Sequence, residues 1–149
     1  MNTLFFLRTS KLARHLVFPA LAASLGGCGL FGGGNVRAMR PSPGIPSGQG
    51  ELHTDEDDNG NTLLKVSVKY LAHPSKVAPD ATTYVAWVQP GSLSVQNAGA
   101  IKVDDDLEGT LETLTPFRRF AFSVTPEPSA RGNKPTHEPV FTADVDLGD

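Results

Sequence analysis

The chain reads LKVSVKY over residues 64–70, so that apolar and polar side chains alternate. This period of two is typical of a β-strand with one face in a core and the other in water. A second stretch, TYVAWV at residues 83–88, is apolar on both faces, as expected of a strand inside a sheet. These two stretches indicate a β-sheet protein.

Four further short stretches have strand character and are bounded by turn-forming residues. They are residues 98–103, 109–114, 120–124 and 140–145. Six or seven short strands in about 90 residues predict an all-β fold, an antiparallel, immunoglobulin-like β-sandwich, with a small barrel as the alternative. The predicted core comprises Leu64, Val66, Val68, Trp87, Val88, Ile101, Val103, Leu111, Phe120, Phe122, Val124, Phe141 and Val145.

The N-terminus has the order of residues found in a secretory signal. Arg8, Lys11 and Arg14 precede the apolar stretch 16–25, and small residues follow it. The apolar stretch has about ten residues, whereas a membrane-spanning helix needs roughly 20. We therefore expect residues 1–27 to be a signal peptide, with a transmembrane anchor as the alternative.

The predicted signal ends in Leu25-Gly26-Gly27-Cys28, which resembles the lipobox of bacterial lipoproteins. The resemblance implies that the chain is cleaved before Cys28, whose thiol carries diacylglycerol and whose new amino terminus is acylated. Several acyl chains give a stable anchor, which one chain alone does not. Because Gly29 rather than Asp follows the cysteine, the family rule implies the outer membrane in a Gram-negative cell.

The residues after the cysteine predict a tether and then a domain. Seven glycines and three prolines lie within residues 29–50, a composition that favours a flexible linker. As a coil, such a linker has ends roughly 25 Å apart. Residues 28–50 are therefore predicted to be the lipidated cysteine and linker, and residues 51–149 the β-sandwich.

The charges of the mature chain exclude one class of partner. The full chain has 13 Lys and Arg against 16 Asp and Glu, and three of the basic residues lie in the signal. The remaining 10 basic and 16 acidic side chains give the mature chain a net charge near −6. Nucleic acid is excluded as a partner, because its affinity comes mainly from Lys and Arg that neutralise phosphates.

Several segments carry a family resemblance, in a fixed order along the chain. They are TYVAWV (83–88), QNAGAIKVD (96–104), LEG (107–109), TPF (115–117), FSVTPEPS (122–129) and KPTHEPV (134–140). Together they resemble the extracytoplasmic C-terminal domain of anti-sigma-K-factor-type proteins. In that family a Thr-x-Glu-Pro turn precedes a Pro-Thr-Gly-Glu-Pro segment, and here His137 stands at the glycine position.

The resemblance implies an envelope module and not anti-sigma activity. Anti-sigma factors of this type join a cytoplasmic sigma-binding domain to a transmembrane helix, whereas this chain has a lipoprotein signal in that place. We therefore expect a non-catalytic, membrane-anchored envelope lipoprotein whose domain binds, senses or has a structural role. Its expected partners are the membrane, through the lipid on Cys28, and an envelope protein or glycan.

One acidic loop suggests a metal site. Asp55, Asp57 and Asn59 precede Gly60 at the spacing of the first half of a calcium loop. The bidentate acid expected at the twelfth position is replaced by Val66, inside a predicted strand. A calcium-dependent binding module that uses the Asp55–Gly60 loop is therefore the alternative function. A second acidic cluster at residues 104–108 could share a cation only if both loops lie at the same end of the sandwich.

The remaining polar residues do not predict catalysis or zinc. His53, His73 and His137 share no metal-ligand spacing. The serines have no Gly-x-Ser-x-Gly frame, and the glycine run 32–34 lies in the linker rather than at the start of a helix. The chain is therefore predicted not to be an enzyme.

Overall fold

The computed structural model describes residues 34–148, which form nine β-strands and one short helix. None of the described helices is long or apolar enough to span a membrane. The elements are β1 (Asn35–Ala38), β2 (Arg40–Pro41), β3 (Gln49–Glu56), β4 (Thr62–Lys69), α1 (Pro74–Val77), β5 (Thr83–Gln89), β6 (Gln96–Ile101), β7 (Gly109–Thr115), β8 (Arg119–Glu127) and β9 (Phe141–Asp146).

The strands form two antiparallel sheets that pack face to face. Sheet A has the order β1-β3-β4-β7 and sheet B the order β2-β9-β8-β5-β6. These two orders match the strand order of immunoglobulin-like sandwiches. In that nomenclature, β3, β4 and β7 are strands A, B and E, and β9, β8, β5 and β6 are strands G, F, C and C′. The predicted all-β sandwich is confirmed.

All six strands predicted from the sequence are present, as β4 to β9. The predicted number of six or seven strands is wrong, because β1, β2 and β3 precede them. β3 was missed because outward-facing polar residues such as Glu51 and His53 alternate with inward-facing residues of which only Leu52 is strongly apolar. A strand of this composition has almost no hydrophobic periodicity.

For residues 35–50, which lie in the described part of the predicted linker, the prediction of a flexible chain is also wrong. β1 pairs with β3 in sheet A, and two residues later β2 pairs with β9 in sheet B, so one short segment joins both sheets. Met39, at the crossing, is buried, and the ring of Phe141 lies close to the backbone of Gly48 and Gly50. The glycines that favour a linker are here sites where a core ring approaches the main chain closely.

The N-terminal segment should therefore resist proteolysis. The Arg37 guanidinium donates hydrogen bonds to the carbonyl oxygens of Asp144 (3.3 Å) and Asp146 (3.0 Å). We expect trypsin to cleave after Arg37 only as fast as the domain unfolds, while the exposed Arg131 is cleaved sooner. Mass spectrometry of timed digests checks this order. Cleavage after Arg37 at the rate of an unfolded peptide would show that this segment is a flexible linker.

The core between the sheets contains the predicted residues with one exception. Inward-facing residues of β5, Tyr84, Ala86 and Val88, lie in it, together with Leu64 and Phe122. Trp87 is fully buried but points to the opposite face of sheet B, away from sheet A. Its predicted place in the intersheet core is wrong, because successive side chains of a strand alternate between faces and β5 is covered on both.

The loops are distributed unequally between the two ends of the sandwich. The register of the strands places the short connections 57–61, 90–95 and 116–118 at one end, which we call the hairpin end. The start of β1 lies at this end, because Asn35 pairs with Thr54. The longer connections lie at the opposite, long-loop end; they are residues 42–48, 70–82, 102–108 and 128–140.

Candidate functional site

The outer face of sheet A is not covered by other described residues. Cross-strand register places Val36, His53, Lys65 and Glu112 in one row across all four strands. Two large apolar side chains at this face, Val36 and Leu114, are 57 % and 55 % exposed. A bare sheet face that combines charged and apolar side chains is a candidate binding surface.

Two shallow depressions flank the centre of this face, and both are lined by His53 and Lys65. One, of about 350 Å³, also contacts Ser67, Thr110 and Glu112. The other, of about 530 Å³, extends toward the start of β1; its lining includes Gly34, Val36, Asp55 and Leu63. The face can therefore accommodate side chains of a partner on either side of its charged row.

The charged groups of this face interact only weakly with each other. Lys65 Nζ lies 3.5 Å from Glu112 Oε2, and His53 Nε2 lies 3.4 Å from Glu51 Oε2, all with exposed side chains. Exposed pairs of this kind contribute little stability, so their groups are free to exchange partners. Ser67 lines the smaller depression together with His53 and Lys65.

On the outer face of sheet B, in contrast, the part around β5 and β6 is covered by residues 128–139, which we call the strap. Asn97 Nδ2 donates to the carbonyl oxygens of Ala130 (3.0 Å) and Gly132 (2.8 Å). Thr82 Oγ1 donates to the carbonyl oxygen of Pro128 (3.1 Å). The strap is therefore held over Trp87 mainly by polar contacts.

A buried hydrogen-bond chain joins the strap to sheet B. Trp87 Nε1 donates to Thr125 Oγ1 (2.8 Å), which donates to Glu127 Oε1 (2.5 Å). Glu127 is buried and also accepts hydrogen bonds from the Thr136 backbone N–H (2.9 Å) and from the Thr136 hydroxyl. Because both carboxylate oxygens are occupied by protein donors, Glu127 fastens the strap and is not free for chemistry.

The network stabilises the ionised form of Glu127. Burial raises the pKa of a carboxyl group, but hydrogen bonds from Thr125 and Thr136, with the charge of His137, outweigh it. The pKa of Glu127 therefore lies below its ordinary value of 4.5. His137 completes the chain of contacts, since its Nε2 lies 3.0 Å from Asp80 Oδ1.

The structure places the predicted calcium ligands at the end of β3 and in the turn that follows it. Asp57 accepts hydrogen bonds from the backbone N–H of Asn59 and Asn61 and from the Asn61 amide, which lower its pKa. Both of its oxygens therefore close the hairpin between β3 and β4. Asp55 lies in β3, opposite Leu63. Among residues 34–148, no group of three acidic, His or Cys side chains has the geometry of a metal site.

The two acidic clusters lie at opposite ends of the sandwich. Asp104 closes its turn in a similar way to Asp57: its carboxylate accepts hydrogen bonds from the backbone N–H groups of Asp106 and Glu108. The 57–61 turn is at the hairpin end, and the 104–108 turn is at the long-loop end, a strand length of about 20 Å away. A cation shared by both loops is therefore ruled out.

Calcium should leave the stability of the protein unchanged. A ligand that binds only the folded state raises the melting temperature by mass action. Because Asp57 uses both oxygens within its turn, we expect equal melting temperatures after chelation and after addition of millimolar calcium. Magnesium is the matched control for ionic strength. A rise of several degrees with calcium alone would support the calcium-dependent module.

The remaining predicted site residue, Cys28, lies outside the described residues. Gly34, the first described residue, follows it by six positions and lines the larger depression at the outer face of sheet A.

No protein-family model and no curated protein matches this chain.

Sequence reasoning missed both surfaces described above. The bare face includes His53 and Lys65, which are 12 residues apart in the sequence and become neighbours only through the register of β3 and β4. The sequence contained part of the evidence for the Glu127 network, since the Thr-x-Glu-Pro and Pro-Thr segments were part of the family resemblance. In this chain the two segments are in contact: Glu127 supplies the acceptor and Thr136 the donors.

Proposed function

We propose that this chain is the precursor of a non-catalytic envelope lipoprotein, tethered by lipid on Cys28. Its immunoglobulin-like sandwich binds a protein or glycan in the cell envelope. The observation that carries the binding role is the uncovered outer face of sheet A, with its charged row and two depressions. The observation that carries the anchor is the Leu25–Cys28 sequence after a basic and apolar leader.

The position of β1 supports a short tether. Cys28 and Gly34 are six residues apart, so even a fully extended chain between them spans roughly 20 Å. Because β1 starts at the hairpin end, the tether joins the domain at that end.

The arrangement of polar groups supports a binding role rather than catalysis. On the bare face Ser67, His53 and Glu51 are neighbours, yet the serine hydroxyl has no hydrogen bond to the imidazole among the described contacts. General-base activation requires such a bond. The resemblance to anti-sigma-K-type extracytoplasmic domains supports an envelope location. We assign no sigma-factor binding to this chain.

Replacement of Cys28 tests the anchor. In the bacterial host, the wild-type chain is expected to lose residues 1–27 and to incorporate a labelled fatty acid, because the thiol accepts the diacylglycerol. Cys28→Ser has no thiol, so it should retain the signal and incorporate no label. Gel mobility and fatty-acid labelling measure both properties.

A variant in the leader gives the matched control. Ser24→Ala keeps residues 16–25 apolar and leaves residues 25–28 unchanged, so its processing and labelling should equal those of the wild type. Equal labelling of Cys28→Ser and the wild type would show that the acyl chains lie elsewhere and would remove Cys28 as the anchor.

A further inference from the structure

Proteins commonly block the edges of their sheets, because unpaired main-chain groups there attract other strands. At one edge of sheet B, β2 is only two residues long and ends at Pro41, which has no N–H. Beyond it, the Arg37 guanidinium occupies the edge carbonyl oxygens of Asp144 and Asp146. This edge is therefore blocked by a proline and by side-chain donors.

Two other edges are irregular or short. β6, at the second edge of sheet B, has a bulge opposite Ala86 and Trp87 and a positive φ at Gly99. Asn97 of the same strand holds the strap. β1, at one edge of sheet A, has four residues before the chain leaves that sheet at Met39. None of these edges offers a long regular template.

Among the described edge strands, β7 is the one that is both long and regular. It pairs with β4 in unbroken register over seven residues, and it contains no proline, lysine or bulge. No described hydrogen bond reaches its main chain from outside that ladder. Its inward-facing Leu111 and Thr113 are half-buried, whereas Leu64 and Val66 in the neighbouring strand are buried. Leu111 packs against Gly99 of β6, so the flank of the core beside β7 is covered only in part.

We propose that β7 is a docking edge, at which an extended segment of a partner protein adds to sheet A as a fifth strand. Main-chain hydrogen bonds to alternate residues of β7 give this mode of recognition its affinity, and side chains on the two faces give it specificity. The added strand covers Leu111 and Thr113. The proposal rests on the partner-binding role proposed above and names the surface and the kind of partner.

The charge of β7 selects a cationic segment. Glu112 is the central residue of the strand, and its carboxylate faces the outside of sheet A beside Leu114. If two copies of the chain paired along the whole of β7, Glu112 would lie opposite Glu112 of the second copy, and like charges in that position are destabilising. A partner strand with Lys or Arg opposite Glu112 and an apolar residue opposite Leu114 fits instead.

A synthetic peptide tests this docking edge. The peptide SVTKVTS places its lysine opposite Glu112 and its first valine opposite Leu114 when it pairs antiparallel to β7. We expect saturable binding to the full chain in detergent micelles, with slowed hydrogen exchange at alternate amides of β7. Two further peptides carry N-methyl groups on one or the other set of alternate amides. Only the set that faces β7 should abolish binding.

Charge reversal tests the partner chemistry. Glu112→Lys is expected to weaken binding of SVTKVTS about fivefold and to strengthen binding of SVTEVTS by a similar factor. Asp58→Lys makes the same change of net charge in the exposed turn between β3 and β4, outside β7, and should alter neither affinity.

Three results would overturn the proposal. They are the absence of peptide binding at millimolar concentration, protection of β6 or of the bare face instead of β7, and sedimentation of the full chain as a dimer that Glu112→Lys changes. Protection of the bare face would leave the proposed binding role intact and reject only the docking edge. The Cys28→Ser experiment tests the lipid anchor separately, so a failure of the anchor is distinguishable from a failure of the docking edge.

Discussion

Replacement of Glu127 by alanine is expected to destabilise the domain by about 3 kcal/mol, since it leaves buried donors without an acceptor. The Thr125 hydroxyl and two donors of Thr136 all lose their carboxylate partner. For a domain of this size the melting temperature should fall by about 10 °C. Glu127→Gln keeps the shape and one acceptor oxygen, so its cost should be about half as large.

Trp87 reports directly on this network. It is the only tryptophan in the sequence, it is fully buried, and its Nε1 is hydrogen bonded to the same Thr125 that donates to Glu127. Loosening of the strap should therefore shift its fluorescence to longer wavelength before the sandwich unfolds. Glu138→Gln is the matched control, because Glu138 is exposed in the same strap. Equal melting curves for the two glutamine variants would contradict the role of Glu127.

The same network predicts a pH dependence. Because the pKa of Glu127 in the folded protein lies below 4.5, folding favours the ionised form, and this contribution is fully present above that pH. It is lost as the pH falls through the pKa of the folded state. The stability difference between the wild type and Glu127→Gln should thus be largest near neutral pH and should shrink below pH 4.5. A difference that grows on acidification would contradict this sign.

Replacement of Phe141 by alanine is expected to cost about 3–5 kcal/mol, which is the usual range for a fully buried phenylalanine. The ring lies over Gly48 and Gly50 and is close to the segment that carries β1 and β2. Its loss should therefore release the N-terminal segment as well as lower the stability. Chemical denaturation measures the cost, and the rate of tryptic cleavage after Arg37 measures the release.

Phe117 is the control for this substitution. It is half-buried at the margin of the core and packs at the hairpin end. Phe117→Ala should cost about 1–2 kcal/mol and leave Arg37 protected under native conditions. If both alanine variants lost equal stability and released Arg37 to the same extent, the N-terminal segment would not depend on the Phe141 contact.

The strands that could be predicted from the sequence are those in which contacts with the core require a recognisable pattern of apolar residues. β4 alternates strictly, and β5 is apolar on both faces, so their existence follows from side-chain type alone. β1 and β2 are stabilised instead by pairing with two different sheets. Pairing of this kind leaves no periodic pattern in residues 35–41, and the surrounding glycines and prolines favour a linker.

The face to which a side chain points was harder to predict than its burial. Trp87 is buried as expected, but its cover is the strap, a polar segment whose position depends on Asn97 and Glu127. A carboxylate in a Pro-rich stretch normally indicates a solvated turn. Only the three-dimensional contact between Glu127 and Thr136 shows that this one is buried and structural.

The acidic loops illustrate the limit of a spacing argument. Oxygen ligands at alternate positions before a glycine are shared by calcium loops and by hairpin turns that Asp closes on its own backbone. At Asp57 the hydrogen bonds to Asn59 and Asn61 show the second arrangement. The spacing of residues 55–60 is the same in both cases, so the decision required the structure.

Intact mass spectrometry of the native chain, extracted with detergent from the membranes of its host, tests the lipid anchor on Cys28. We expect a chain that begins at Cys28 and carries the added mass of diacylglycerol and an amide-linked acyl chain. A native chain that begins at Met1, or one that begins at another residue and carries no lipid, would contradict this expectation.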